Sequence, residues 1–439
     1  MTKPPKTAPD LTQGEKRELL VNLLQKQLVS DLNSEVTLDP DICSPGSYDG
    51  TIQPSSILLT GATGFMGAFL LYELLHATQA KIYCLVRASN TEEALQKLQR
   101  QLESCLLWKR ELAHRILPIP GDLSQPLLGF SSQKFHELAA IIDSIYHCGA
   151  TVNFVYPYQI LRQTNVNGTK EILRLASKIR AKPVHFMSSL GVFDSVSYSK
   201  KSVSEDDPLK YCESPFTGYA QSKWVSDNLI ALARSRGIPT SIYRLGFLTG
   251  PRQTGICNTK DLIIRTLKAW VQLGCAPNLD VRFDIAPVDI VARAIVHLSS
   301  QHKSIGKVFH MVHPDPPRQD QFIQFLQSLG YKIKVIPYEE WEKVLVQAAS
   351  QDTNNALHTA LACITKRIVH NGRRLTLFEM YTNDFRPTFK CRNTLEGLKD
   401  TSITWPPADA KLFDAYISYL IRVGFLDPPE HNARDASSH

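Results

Sequence analysis

Several features that would assign a class at once are missing from this chain. It has no CxxC pair: nine cysteines, an odd number, are scattered over 439 residues. That usage reads as reduced thiols, not a disulfide framework. No apolar run approaches the length needed to span a bilayer, so no membrane partner is expected. The opening MTKPPKTAPDLTQGEKRELL is polar, with neither an apolar core nor a cleavage pattern. A secretory signal is therefore not expected, and the cytoplasm is the expected compartment. Charge of one sign is also scarce, with 49 basic against 42 acidic residues. The small surplus suits an anionic ligand or an acidic partner. No basic run with interleaved aromatics is present, so nucleic acid is not expected. What remains is an ordinary globular balance, 43% hydrophobic and 21% charged, in a chain longer than the usual single domain.

Residues 1–50 read as a leader, with leucines at helical spacing in LTQGEKRELLVNLLQKQLVSDL followed by turn residues. From Ser55 strands and helices alternate. SSILL, KIYCLVR, RILPIPGD, DSIYHCGA, KPVHFMSSLGVF and PTSIYRLGFLTG read as strands or strand ends, with amphipathic segments between them. This alternation predicts an α/β fold: a Rossmann-like, doubly wound parallel sheet with helices on both faces. After Gly250 the rhythm loosens. A helix at DLIIRTLKAWVQLG and a strand at KVFHMV are expected to touch the sheet still, and from Pro314 the pattern is mostly helical. The expected division is 51–317 for nucleotide binding and 318–439 for a smaller helical substrate domain, with parts of 251–306 assignable to either.

GATGFMG, Gly61 to Gly67, lies between a predicted strand and a predicted helix. Gly61 permits the tight turn, Gly64 lets backbone approach a pyrophosphate, and Gly67 lets helix and strand pack closely. Phosphates would sit at the helix amino terminus, where free N–H groups and the dipole favour negative charge. A glycine-rich turn without a ligand is the plain alternative. A nucleotide-hydrolase phosphate loop is excluded, because Ala68 and Phe69 follow Gly67 where Lys-Ser/Thr would be needed. Arg87 closes the second strand, twenty positions beyond Gly67. A carboxylate there would bind a ribose 2′-hydroxyl, whereas a guanidinium favours a 2′-phosphate and hence NADPH. Lys97 offers a second cation, or is simply a surface lysine. Asp122 can accept from an adenine amino group or cap a turn. HCGA, His147 to Ala150, ends the fourth strand with small residues where a cofactor passes closely. Asn165 either braces neighbouring backbone or caps its helix.

KPVHFM delivers Ser188 and Ser189 to the carboxyl edge of the sheet, where open parallel sheets bind ligands. Thirty residues on, Tyr219 begins a helix with Lys223 on the same face at i+4. A free tyrosine has a pKa of about 10, too high for easy proton exchange at neutral pH. A nearby ammonium, with the positively charged nicotinamide ring of the oxidised cofactor, is expected to lower it. Ser189 would donate to the same substrate oxygen. Alone, Tyr219 and Lys223 would be an amphipathic pair. With Ser189, the glycine turn and Arg87 in this order, they read as catalytic.

The set GATGFMG, SSLGV and YAQSK resembles the extended short-chain dehydrogenase/reductase family. LDPDI, IYCLVRA, GDLSQPLLG, HCGATVNFVYPY, NVNGT, GYAQSKWV, YRLGFLTG and IAPVDIVARAI are similar to one branch, the thioester reductase domains that end nonribosomal peptide and polyketide assembly lines. The likeness runs from about Leu38 to YLIRVGFLDP. It implies Ser189, Tyr219 and Lys223 as the catalytic set, with Arg87 on the 2′-phosphate. It further implies cofactor contacts from Gly61, Thr63, Gly64, Phe65, Met66, Gly67, Lys97, Asp122, Leu123, Cys148, Gly149, Ala150, Asn165 and Gly246. Two positions depart from the branch: Ser189 stands where threonine is frequent, and Lys97 where arginine is usual.

The resemblance implies a monomeric enzyme that takes an acyl or peptidyl thioester from the phosphopantetheine arm of a carrier protein. NADPH would reduce it to an aldehyde, and a second equivalent to an alcohol. No metal is expected: HMVH, His310 to His313, lacks further clustered ligands. Residues 195–218 form either a rim of the substrate entrance or a plain surface loop, and the helical tail from Gln319 is expected to cover the acyl group and meet the carrier. The competing readings are a fatty acyl-CoA or carboxylic-acid-type reductase, a sugar-nucleotide epimerase or dehydratase, and an NADP-sensing scaffold. The scaffold class commonly lacks the Tyr/Lys pair.

Overall fold

Short β-rich apolar runs, each closed by a turn signal, become the strands of one sheet. The computed structural model describes residues 31–429, apart from 47, 49, 51–52, 210–216 and 371–372. Most of the expected leader helix lies outside the described residues. The strands are β1 (Ser56–Thr60), β2 (Lys81–Val86), β3 (Ile116–Pro120), β4 (Ser144–His147), β5 (Val184–Ser189), β6 (Thr240–Leu245) and β7 (Val308–Met311). They lie in the order β7-β6-β5-β4-β1-β2-β3, every neighbouring pair parallel. The chain runs outward through β1, β2 and β3, then crosses to β4 on the other side of β1. That reversal opens a crevice beyond the carboxyl ends of β1 and β4, the place where such sheets take ligands.

Helices cover both faces, which is why the strands read as continuous apolar runs and not as alternating ones. One face packs α1 (Phe65–Ala77), α2 (Thr91–Ser104) and, later in the chain, α7 (Val288–Ser299); the other packs α3 (Ser132–Ile141), α4 (Gly168–Ser177) and α5 (Gly218–Ser235). Leu58 and Leu59 in β1 are fully buried and point to opposite cores.

A third core belongs to the C-terminal helices α8 (Gln319–Ser328), α9 (Tyr338–Gln351) and α11 (Ala410–Arg422), with Phe322, Trp341, Leu345, Phe413 and Ile417 at its centre. KVFHMV forms β7 of the sheet, as expected. The segment DLIIRTLKAWVQLG differs: its helix α6 (Leu262–Leu273) turns Leu267 and Trp270 into the C-terminal core instead of onto the sheet. Its apolar stripe specifies a helix but not which surface it covers.

Two interlocks tie these parts together. Ser202–Val203 pairs in parallel with Thr388–Phe389. Just beyond it the buried Glu205 carboxylate accepts from His310 N (2.9 Å), Thr394 N (3.1 Å) and Thr394 Oγ1 (2.7 Å), at the start of α10 (Arg392–Leu398). At the other end, Leu32, Leu38 and Ile42 are buried in the core beneath α4 and α5. The Arg174 guanidinium bonds the carboxylates of Asp39 and Asp41, and Arg236 donates to the Leu38, Asp39 and Ile42 carbonyls. The acidic residues of LDPDI thus dock their segment on the sheet domain.

Candidate active site

The floor of the crevice is built from glycines because nothing larger fits. Gly61 has φ +77°, and a Cβ there would lie 2.7 Å from Gly149 N. A Cβ on Gly67 would collide with the Gly61 carbonyl, and one on Gly149 would lie 2.9 Å from Thr60 Oγ1 and 2.5 Å from Leu123 Cδ1. The ends of β1 and β4 therefore touch backbone to backbone. Thr60 Oγ1 accepts from Gly149 N (2.8 Å) and meets His147 Nδ1 (2.8 Å), whose Nε2 meets Thr169 (3.1 Å). The helix α1 starts at Gly64 without a side-chain cap, whereas α2, α3 and α5 are capped by Asn90, Ser131 and Thr217. Its first N–H groups are left for an anion. A close-packed glycine cradle under uncapped donors fits a dinucleotide pyrophosphate.

Above this floor opens a cleft of about 390 Å³. Gly61, Thr63, Gly64, Phe65, Met66, Gly67, Cys148, Ala150, Ser189, Tyr219 and Gly246 all line it. Tyr219, at the start of α5, is half-buried and stands edge-on to Phe154 with ring centroids 5.6 Å apart. Gly218 before it lies against the backbone of Tyr156, Pro157 and Tyr158, where a Cβ would come within 2.5 Å of Tyr158 N. The loop after β4 and the first turn of α5 thus hold the phenol in place. Burial raises its pKa above 10, with Cys148 and Asp194 pushing the same way and a hydrogen bond with Ser189 opposing them. Lys223 is buried one turn deeper. Its Nζ donates to Met187 O (2.7 Å) and sits 4.1 Å from the Phe186 ring centroid. Burial lowers its pKa to about 8, against the pull of Asp227 and Cys148. Among the protein's own groups desolvation dominates the Tyr219 shift, and the Lys223 ammonium is engaged by a strand carbonyl.

Other expected residues stand behind or beside the cleft. Asn165 braces the β4 loop, accepting from Thr151 N (2.8 Å) and donating to Thr151 O (3.1 Å) and Ser222 Oγ (2.9 Å). Asp122 closes its own turn, accepting from Ser124 N and Oγ, each at 2.8 Å. Leu123 packs under Gly149 and Gly168. Arg87 is exposed, with no side-chain partner among the described residues. Lys97 donates to the Arg87 carbonyl (2.8 Å) and pairs with Glu93 (2.6 Å), so it fixes the loop carrying Arg87. His310 and His313 bond the Lys390 and Pro406 carbonyls. Among the described residues no cluster of potential metal ligands occurs, and no helix is long and apolar enough to cross a membrane.

One part of the cleft wall has no counterpart in the sequence pattern. Asp194, in the turn after Ser189, pairs with Arg386 (3.1 Å), which also pairs with Asp284 (2.6 Å). Tyr381 donates to Asp194 (3.1 Å), and the guanidinium lies 4.8 Å from the Tyr381 ring centroid and 5.5 Å from that of Phe247. Burial raises the Asp194 pKa to about 6 against the lowering pull of Arg386. The partners are nearly two hundred residues apart, so only the DSV that follows SSLGVF hinted at a charge here.

Fold and cleft together define a dinucleotide-binding protein of the reductase kind. Residues 59–295 match the family described as Male sterility protein, with an NAD-binding domain, and the chain belongs to that family. The terminal R domain from the myxalamid PKS-NRPS biosynthetic pathway is 41% identical in sequence; the match covers 91% of this chain and 99% of that one, with a TM-score of 0.83. A linear gramicidin synthase polypeptide of Brevibacillus parabrevis is 39% identical over 410 residues, 93% of this chain but 8% of that protein. Aldehyde reductase lnbA of Aspergillus flavus is 38% identical over 344 residues, 75% of this chain and 33% of the relative. The chain therefore spans a third or less of these two curated relatives. The resemblance to terminal reductase domains read from the motifs, and the Rossmann-like fold, are borne out.

Proposed function

We propose that this chain releases an acyl or peptidyl group from a carrier protein by reducing its thioester to an aldehyde with NADPH. The observation that carries this reading is the position of Ser189 and Tyr219 on one cleft whose floor is the glycine cradle. Gly61, Gly64, Gly67 and Gly149 would hold the dinucleotide and Arg87 its 2′-phosphate, and the bound cofactor supplies the hydride. Ser189 and Tyr219 donate to the thioester oxygen as negative charge grows on it. Tyr219 gives up its proton to that oxygen, and a hemithioacetal forms. As the C–S bond breaks, the Tyr219 phenolate takes back the hydroxyl proton, and the leaving thiolate takes its proton from water. Lys223, fixed by the Met187 carbonyl, keeps a positive charge beneath the phenol while it is ionised. An aldehyde held in the same place would meet the same two donors, which supports further reduction to an alcohol. The relatives named for peptide synthesis support a carrier-bound substrate, because the chain matches only a part of such an assembly.

The test gives the purified protein carrier-bound, pantetheine and coenzyme A thioesters with NADPH or NADH, and identifies products by mass. Aldehyde formation from the carrier-bound thioester, fastest with NADPH, is expected. Arg87→Ala should abolish the preference for NADPH by raising its KM. Absence of cofactor consumption with every thioester would overturn the reading.

A further inference from the structure

Two stitches join the helix that carries Tyr219 to the strand that ends at Ser189, and they grip neighbouring residues of that strand. Lys223 Nζ donates to the Met187 carbonyl (2.7 Å). One turn further along α5, Asp227 accepts from the next residue of β5, through Ser188 Oγ (2.7 Å). The same carboxylate is clasped by Arg244 on β6, which donates from Nε to Oδ2 and from Nη2 to Oδ1, each at 3.0 Å. Asp227, Lys223 and Arg244 are only 2–3% exposed. A bidentate pair at this depth is a rigid mount, because releasing either partner leaves an uncompensated buried charge. Asp227 forms no ion pair with Lys223. It acts on the ammonium at longer range, through a dry interior that screens charge weakly. The groups facing this mount leave Asp227 as its negative member. Burial keeps His147 and Cys148 at the end of β4, and His310 on β7, neutral near pH 7, with pKa values of about 3, about 12 and about 3. It keeps Tyr219 neutral as well. Arg234 on α5 and Arg244 add positive charge. Without the carboxylate, the Lys223 ammonium would be buried among cations alone.

We propose that Asp227 is a positioning residue of the reaction: mounted on Ser188 and Arg244, its carboxylate keeps Lys223 charged and fixed beneath Tyr219. The inference rests on the thioester-reductase reading and adds to its machinery a residue that does not line the cleft. The stitch through Ser188 sets the place of α5 against the strand end, and the negative charge sets the proton affinity of the lysine.

The test reads Lys223 directly. Isotope-labelled lysine is incorporated, the Lys223 signal is assigned by its loss in Lys223→Met, and its titration is followed by NMR. The parent is compared with Asp227→Asn and with Asp227→Asn combined with Arg244→Gln. The single variant can fail to fold, whereas the combined one leaves neither charge of the pair buried alone. In both, the Lys223 midpoint should fall by about one pH unit or more. The basic limb of kcat/KM, measured with an acyl pantetheine thioester and NADPH, should move down with it, while NADPH affinity stays unchanged. Ser188→Ala removes one hydrogen bond and no charge; it should lower kcat and leave the cofactor KM as it was. A midpoint and limb that stay at the parent values in the Asp227 variants, as a role in packing alone requires, overturn the assignment. So does a Ser188→Ala protein with the parent's kcat. Failure of the reductase reading looks different: the parent then consumes no NADPH with any thioester, while the NMR midpoints still decide the role of Asp227.

Discussion

Replacing Tyr219 by Phe removes one oxygen and leaves the ring. The edge contact with Phe154 at 5.6 Å needs only that ring, and the glycine cradle lies on other elements, so folding and dinucleotide affinity should persist. The chemistry should not. Burial holds the phenol above its ordinary pKa, so at neutral pH the proton to be donated is present in every molecule. Its loss removes both a general acid and one of two donors to the growing oxyanion. A positioned proton donor is worth roughly 10²–10⁴ in rate, about 3–5 kcal/mol of barrier. Ser189 remains and should sustain a residual rate. The assay follows loss of reduced cofactor with a saturating acyl thioester, with cofactor affinity measured separately by fluorescence titration. The expected result is an unchanged dissociation constant and a turnover lower by at least about a hundredfold. Turnover within about threefold of the parent would refute the assignment of the phenol as donor.

Three further outcomes are expected. Lys223 has a folded pKa of about 8 against an ordinary value of 10.5. kcat/KM should therefore fall above pH 8 as the ammonium is lost. Stability should rise over that same interval, because the unfolded chain binds the extra proton there; a pH-rate profile and denaturant midpoints separate the two. Gly218→Ala pushes a Cβ into the backbone of Tyr156 to Tyr158. It should cost about 1–3 kcal/mol of stability and lower kcat more than it raises cofactor KM, since the loop it displaces carries Phe154. Arg386→Ala leaves the Asp194 and Asp284 carboxylates buried without their cation. A loss of about 3–5 kcal/mol is expected near neutral pH, read from urea midpoints. Burial already holds both folded carboxyl pKa values above the unfolded ones, and losing Arg386 raises them further, so the variant should be most stable in acid and weaken as pH rises from about 4 to beyond the parent Asp194 value of about 6.

The sheet was legible in the sequence because each strand carries its own evidence: a short apolar run, a turn signal and a following amphipathic helix. The glycine turn was legible for the same reason, since close approach forbids any other residue and leaves a local pattern. Ser189, Tyr219 and Gly246 share one cleft because they sit at strand ends and a helix start, which local signals fix. What escaped was tertiary. The side on which α6 packs depends on a partner surface formed by residues more than fifty positions later. Arg386 reaches Asp194 only after the chain has crossed the sheet, and nothing near either residue announces the other. Spacing at i+4 shows that Tyr219 and Lys223 share a face, but not that the lysine ends at the Met187 carbonyl.

The docked segment from Leu32 to Ile42 has a consequence for engineering. A designer grafting this unit onto another assembly would be drawn to cut just ahead of Ser56, where the regular alternation starts. That cut would strip three buried apolar side chains from the sheet domain and leave Arg174 and Arg236 without the groups they clasp. At about 1.5–3 kcal/mol for each buried aliphatic side chain, the graft would lose much of a typical domain's margin and expose a sticky scar beside α5. A chimera that retains Leu32 to Ile42 should stay soluble where the shorter one aggregates.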